Sequence, residues 1–122
     1  MAKNILVVED NDDLRQIFAS IIRFSGYQIL EARSGSEAIE KVAFAKPNLV
    51  LLDLGLPDMS GIDVARAIKK NRVTADIPII ACSAYPSGEK MEEALHAGIV
   101  DYLQKPIAAA LIKAKIEKFI LP

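Results

Sequence analysis

Cysteine and histidine occur once each in the 122-residue chain, as Cys82 and His96. One cysteine closes no internal disulfide, and its neighbours Ile79, Ile80 and Ala81 place it in a packed strand rather than at a reactive thiol, which suits a reducing cytoplasm. Blocks of lysine and arginine are missing: 15 basic residues face 16 acidic ones, a net charge of -1 that offers no footprint for direct nucleic-acid binding. No apolar run approaches the roughly 20 residues that cross a bilayer, so no membrane partner is expected. After Met1 the chain runs straight into a strand-like segment, without the apolar stretch and cleavage site of an export signal.

What is present is the balance of an ordinary globular protein, 52% apolar and 25% charged, in a length that suits one domain over residues 1–122. Five short aliphatic runs predict strands: Asn4 to Val8, Gln28 to Ala32, Leu49 to Leu52, Ile77 to Cys82 and Val100 to Leu103. Several are apolar at successive positions, the pattern of a parallel sheet covered on both faces. Amphipathic stretches separate them. Leu14, Ile17, Phe18, Ile21 and Ile22 predict the stripe of a first helix, capped by Asn11 or Asp12 and stopped at Gly26. Ser34 and Glu37 have capping-box spacing before Ala38, Ile39, Val42 and Ala45, and Pro47 ends that helix. A third helix starts near Ser60 and buries Val64, Ala65 and Ile68. Ser87 is the expected cap of a fourth that carries Met91, Ala94 and Leu95 as core and stops at Gly98, and Ile112, Ile116, Phe119 and Ile120 define a fifth. Five alternations of strand and helix predict an α/β, doubly wound parallel sheet. The longest irregular connection, Asn71 to Asp76, reads as a surface loop.

Ligands of open parallel sheets bind beyond the carboxyl ends of the strands, so the residues there are the ones to inspect. The first run ends in Glu9 and Asp10, the third in Asp53, the fourth in Ser83, and the fifth in Gln104, Lys105 and Pro106. If these strands are neighbours, three carboxylates, a hydroxyl and an ammonium converge. Each like-charge pair at about 4 Å costs roughly 4 kcal/mol at an effective dielectric near 20. Lys105 offsets one charge, and the oxygen-rich remainder suits a hard divalent ion such as Mg2+ (or Mn2+). Asp53 is then placed as a nucleophile toward a phosphoryl group, with Ser83 as a hydroxyl donor to it. Asp12 and Asp13 read instead as charges favouring a helix amino terminus, and His96 as a structural residue near a helix carboxyl end.

With these residues in view, the chain resembles the receiver domain of bacterial two-component response regulators, including the chemotaxis-type single-domain members, from about Lys3 to Phe119. Ile5-Leu6-Val7-Val8-Glu9-Asp10-Asn11 resembles the family's first strand and acidic pair, and Leu51 to Gly61 its phosphorylation loop. Ile79 to Ala84 resembles the switch-hydroxyl strand and Ala97 to Pro106 the lysine segment. The resemblance implies a flavodoxin-like sheet of order 2-1-3-4-5 with five helices. It also implies Asp53 as phosphoacceptor, Glu9, Asp10, Asp53 and the Gly55 carbonyl as metal ligands, Lys105 as phosphoryl-contacting cation, Ser83 as switch hydroxyl and Tyr102 as rotating aromatic. A cis peptide before Pro106 is implied as well. Glu9 stands where many relatives have Asp, which points to metal contact through water. Gly55 and Tyr85 occupy the positions that tune acyl-phosphate lifetime in such domains, with Tyr85 as a shield against water.

Two other chemistries fit less well. An aspartate-nucleophile phosphatase of the haloacid-dehalogenase type needs a second acid two residues after the nucleophile, where this chain has Gly55. A nucleotide-binding module needs a glycine-rich loop after the first strand, where Glu-Asp-Asn-Asp-Asp stands. The resemblance further implies a histidine kinase or histidine phosphotransfer protein as phosphodonor, and a protein target on the face of helix 4, strand 5 and helix 5. A monomer or a weak phosphorylation-dependent dimer is expected, with autocatalysed phosphorylation and dephosphorylation as the only chemistry. No output domain is expected after Phe119, so the signal leaves by protein contact or by passing the phosphoryl group on; an origin as a piece of a longer protein stays open.

Overall fold

The computed structural model describes residues 2–84 and 88–120. Strands β1 (Asn4–Val8), β2 (Gln28–Ala32), β3 (Leu49–Asp53), β4 (Ile79–Ser83) and β5 (Asp101–Gln104) alternate with helices α1 (Asp12–Phe24), α2 (Gly35–Ala45), α3 (Gly61–Lys70), α4 (Gly88–His96) and α5 (Ala109–Phe119). The strands form one sheet of order β2-β1-β3-β4-β5, and every neighbouring pair is parallel. The sequence reading of an α/β, doubly wound sheet with order 2-1-3-4-5 is borne out.

Alternate residues of each strand feed two separate cores, which explains the unbroken apolar runs. Leu6, Val8, Val50, Leu52, Ile79 and Ala81 pack with Ala38 and Val42 of α2, Ile62, Val64, Ala65 and Ile68 of α3, and Ala94 of α4. Ile5, Val7, Leu49, Leu51, Ile80, Cys82 and Leu103 pack with Phe18 and Ile22 of α1 and Ile112 and Ile116 of α5. Each fully buried aliphatic side chain contributes about 1.5–3 kcal/mol, and sandwiching the sheet lets every strand position count.

Local signals stop and start the elements largely where the sequence places them. Asn11 caps α1 by accepting from the Leu14 N–H, and Ser34 caps α2 by accepting from the Glu37 N–H. Ser60 caps α3 through the Ile62 N–H. Gly98 takes a φ of 92° after α4, and Lys46 itself adopts the left-handed conformation, φ 46°, before Pro47. The expected cap at Ser87 lies outside the described residues.

Four expectations need correction. β4 begins at Ile79 rather than Ile77, because Pro78 has no N–H to give the ladder and contributes only its carbonyl, to the Val50 N–H at 3.0 Å. β5 begins at Asp101, and Val100 is exposed outside the strand. In α1 the buried face is Arg15, Phe18, Ala19 and Ile22, so Ile17, 54% exposed, points to solvent. In α4 only Ala94 is buried; Met91 and Leu95, the latter 64% exposed, are surface and not core. The connection after α3 is fastened more firmly than a plain surface loop. The buried Thr74 hydroxyl donates to the Ile68 carbonyl at 2.8 Å, and Lys69 Nζ donates to the carbonyls of Ala75 at 2.9 Å and Ile77 at 2.6 Å.

Asp101 ties the start of β5 to α5. Its carboxylate accepts from Lys115 Nζ at 2.9 Å and from the Tyr102 N–H at 2.8 Å, with Lys118 Nζ at 3.7 Å. Burial pushes the carboxyl up, but the Lys115 hydrogen bond, the Tyr102 amide and the two lysine charges outweigh it and hold it below the ordinary value. The unfolded chain then binds that proton more tightly, so the contribution is complete above about pH 4 and lost as pH falls through the lower folded value. Asp101→Asn should cost about 1–2 kcal/mol at neutral pH in urea unfolding, and the gap to the unchanged chain should narrow as the pH falls below the ordinary aspartate range. A gap independent of pH would refute this account.

Candidate functional site

The chain runs from β1 outward to β2, then back past β1 to β3, so strand order reverses beside the carboxyl end of β1, the place where ligands of open parallel sheets bind. Register delivers the polar residues to that edge. Val8 pairs with Leu52, leaving Glu9 and Asp10 just beyond β1 and Asp53 at the end of β3. Asp53 pairs with Cys82, and Ser83 pairs with Gln104, which sets Ser83 at the end of β4 and Lys105 just beyond β5. Backbone bonds hold the connections in place: the Leu54 N–H donates to the Cys82 carbonyl at 3.0 Å, and the Lys105 N–H to the Ser83 carbonyl at 2.9 Å. The Lys105-Pro106 peptide is cis.

Glu9, Asp10 and Asp53 each offer a carboxylate oxygen, and these atoms lie within 4.8 Å of one another. Glu9 is 2% and Asp53 6% exposed, whereas Asp10 is open to solvent. Lys105 reaches into the cluster, with Nζ 2.7 Å from Glu9 Oε1 and 3.3 Å from Asp53 Oδ1. The Gly55 N–H also donates to Asp53 Oδ1, at 3.2 Å. Both contacts fall on the same oxygen of the Asp53 carboxylate. The second Glu9 oxygen, Oε2, accepts from the Asn11 N–H at 3.2 Å. Burial, with the Asp53 charge adding to it, pushes the Glu9 carboxyl above its usual range despite the Lys105 hydrogen bond. For Lys105 burial works downward, but the Glu9 hydrogen bond and the charges of Asp53 and Glu9 win, and its ammonium is held above the ordinary lysine range.

Four of the residues singled out by sequence, Glu9, Asp10, Asp53 and Lys105, thus meet in one pocket, and Gly55 touches it through its amide. Ser83 is half-buried on the neighbouring strand end. Tyr102 pairs with Ala81, one step back from the edge, and its ring packs against the core on the α2, α3 and α4 side. Its hydroxyl is buried and has no hydrogen-bond partner among the described residues. Tyr85 lies outside the described residues. Cys82 is buried, and burial raises its thiol well above the ordinary range, in keeping with a packing role.

Two residues of the site were not read from sequence. Arg15 is buried and donates to the Glu9 carbonyl at 3.0 Å, to Glu31 Oε1 at 3.1 Å and to Asp12 Oδ1 at 2.6 Å. It braces the turn that presents the acidic pair, and its signal was available: Arg15 shares a helical face with Phe18, Ala19 and Ile22. The other is Asp58, whose carboxylate accepts from the N–H groups of Gly35 and Ser36. Its partners are more than twenty residues away, and nothing in the local sequence points to them.

The cluster is built from hard oxygen donors at a water-accessible edge, with Asp10 open, which fits a divalent ion such as Mg2+. A doubly wound sheet carrying an acidic cluster and a lysine at its switch point is the arrangement that the sequence resemblance implies. The family model for the response regulator receiver domain matches residues 5–117, and the chain belongs to that family. It is similar to the phosphate regulon transcriptional regulatory protein PhoB of Pseudomonas aeruginosa, 35% identical over 117 residues, covering 96% of this chain but about half, 51%, of that relative. It is also similar to the polar-differentiation response regulator DivK of Brucella ovis, 32% identical over 120 residues and 98% of each chain. Among solved structures, the receiver domain of sensor histidine kinase PA1611 from Pseudomonas aeruginosa superposes with a TM-score of 0.90 at 28% identity, covering 98% of each chain, and has a magnesium ion in its active-site cleft. The chemotaxis protein CheY4 of Vibrio cholerae shares the fold, with a TM-score of 0.94 at 23% identity over 98% of this chain and all of that one. No helix among the described residues is long and apolar enough to cross a membrane.

Proposed function

We propose that residues 1–122 act as a single receiver domain in which Asp53 is the phosphoacceptor. The observation that carries this reading is the meeting of Asp53 with Glu9, Asp10 and Lys105 at the strand-order switch point. An Asp53 carboxylate oxygen attacks the phosphorus, the bond to the donor atom breaks, and the donor leaves with the electron pair, giving an acyl phosphate. Lys105, already 3.3 Å from Asp53 Oδ1, moves its charge onto the incoming phosphoryl oxygens. Asp10, Asp53 and the Gly55 carbonyl are the residues to hold Mg2+ (or Mn2+), which when bound supplies positive charge beside those oxygens. Both Glu9 oxygens already have donors, Lys105 and the Asn11 amide, which supports an outer place for Glu9, reached through water.

The Ser83 hydroxyl donates to a phosphoryl oxygen once the group has arrived, a bond made only in the modified state. Tyr102 is the second switching residue. Among the described residues the buried Tyr102 hydroxyl has no partner, a cost of about 1–3 kcal/mol that a change of rotamer relieves. The exposed apolar side chains Met91, Leu95, Val100 and Leu111 lie on α4, before β5 and on α5, and we assign the target-binding face to them. Gly55 and Tyr85 set the acyl-phosphate lifetime, and the domain hydrolyses only its own acyl phosphate. The donor is a histidine kinase or histidine phosphotransfer protein in the cytoplasm. The domain works as a monomer or a weak phosphorylation-dependent dimer, without contacting nucleic acid itself. The test is intact-mass analysis after incubation with acetyl phosphate and Mg2+, where one phosphoryl group per chain is expected and none would overturn the reading.

A further inference from the structure

The connection from β3 to α3, residues 54–60, carries Gly55 and is pinned at both its base and its tip. At the base, Gly55 and Ser60 form an isolated antiparallel bridge, and the Gly61 N–H donates to the Leu54 carbonyl at 3.0 Å. A Cβ on Gly61 would lie 2.6 Å from the Asp53 carbonyl oxygen, so the loop closes directly on the backbone of the acceptor. At the tip, Asp58 Oδ1 accepts from the Gly35 N–H at 2.8 Å and Oδ2 from the Ser36 N–H at 3.0 Å. Beside it Met59 packs against Gly35 of α2, where an added Cβ would come within 2.4 Å of Met59 Cγ.

The first three amides of α2 are therefore satisfied from two sources. Gly35 and Ser36 donate to Asp58, and Glu37 donates to Ser34 Oγ at 3.2 Å. Both caps serve the helix, Asp58 through two amides and Ser34 through one, but only Asp58 bears on the pocket, since Ser34 is local to α2 and Asp58 belongs to the loop. Asp58 is itself exposed, so little packing holds it there. Its two bonds fix both the position and the orientation of the carboxylate, at the helix end where negative charge is favoured.

We propose that Asp58 is a positioning residue that uses the amino terminus of α2 to fix the Gly55 loop for Mg2+ binding beside Asp53. This rests on the receiver reading above and adds α2 to the elements that control the pocket. Mg2+ titration calorimetry on the folded chain tests it, with thermal melts and backbone amide NMR spectra alongside. Asp58→Ala should weaken Mg2+ binding about tenfold, toward the low end for a residue supporting a ligand from behind. Asp58→Asn keeps one acceptor oxygen and should lose only about threefold. Ser34→Ala removes the other cap and should lower the melting temperature, but should leave Mg2+ affinity and the amide signals of residues 54–60 unchanged. Unchanged Mg2+ binding by Asp58→Ala, or equal weakening by Ser34→Ala, would overturn the proposal while the receiver reading stands. An unsubstituted chain that neither binds Mg2+ nor accepts a phosphoryl group from acetyl phosphate would overturn both.

Discussion

Asp53→Asn will stay unmodified under acetyl phosphate and Mg2+ while the unchanged chain gains one phosphoryl group. The reasoning is chemical before it is structural. An amide oxygen is a far weaker nucleophile than a carboxylate, and no other carboxylate of the cluster combines the burial of Asp53 with contacts from both Lys105 and the Gly55 amide. Glu9 is as deeply buried, but both its oxygens are engaged, and Asp10 is open to water. The loss of modification should be at least about 100-fold, the scale on which removing one catalytic interaction acts. The same change removes one of three crowded negative charges, each pair of which costs roughly 4 kcal/mol before the cation is counted. Metal-free Asp53→Asn should therefore melt above the unchanged chain, and adding Mg2+ should stabilise it less, because binding to the native state is what raises the melting point. Equal phosphorylation of the variant would place the acceptor elsewhere.

Lys105→Met should be the most destabilising single change at the pocket. It leaves the Glu9 carboxylate, 2% exposed, without the ammonium now 2.7 Å away and still beside Asp53. Removing one partner of a buried pair costs about 3–5 kcal/mol, because the orphaned charge stays desolvated. Here the Lys105 side chain is 20% exposed, and Glu9 can escape by taking up a proton, so about 3 kcal/mol and a fall in melting temperature on the order of 10 °C are expected. Proton uptake also sets the sign with pH. Burial already raises the Glu9 carboxyl, so lowering the pH neutralises it and should narrow the gap between variant and parent. Adding Glu9→Gln to Lys105→Met should recover much of the loss, a coupling that melts of the four chains in a double-mutant cycle will measure. No recovery in the double variant would show that Lys105 stabilises through something other than this pair.

The sheet and the four charged residues of the pocket were legible because each rests on a local pattern. Aliphatic runs mark strands buried on both faces, caps such as Asn11 and Ser34 mark helix starts, and the end of a run marks the edge where ligands bind. The residues misread were those whose surroundings come from elsewhere in the chain. Ile17 and Leu95 have apolar side chains on the right elements, but the angle at which α1 and α4 lie on the sheet turns them outward, and Arg15 is turned inward instead. Pro78 shortens β4 because a ladder needs donors, a rule the apolar pattern does not carry. Asp58 reads locally as an ordinary turn residue, since its partners on α2 come close only after β2, α2 and β3 are in place. Arg15 alone left a trace, a cation spaced three, four and seven residues from buried side chains.

The lone thiol makes the folded chain self-reporting. Cys82 sits on β4 in the core formed with α1 and α5, and burial raises its thiol well above the ordinary range. A thiol reagent therefore reaches it only when β4 is uncovered, because the thiolate is the reactive species. The rate at which Cys82 is labelled in excess reagent then counts opening events that uncover β4, and a phosphoryl group or Mg2+ that stabilises the native state will slow it without any engineered cysteine.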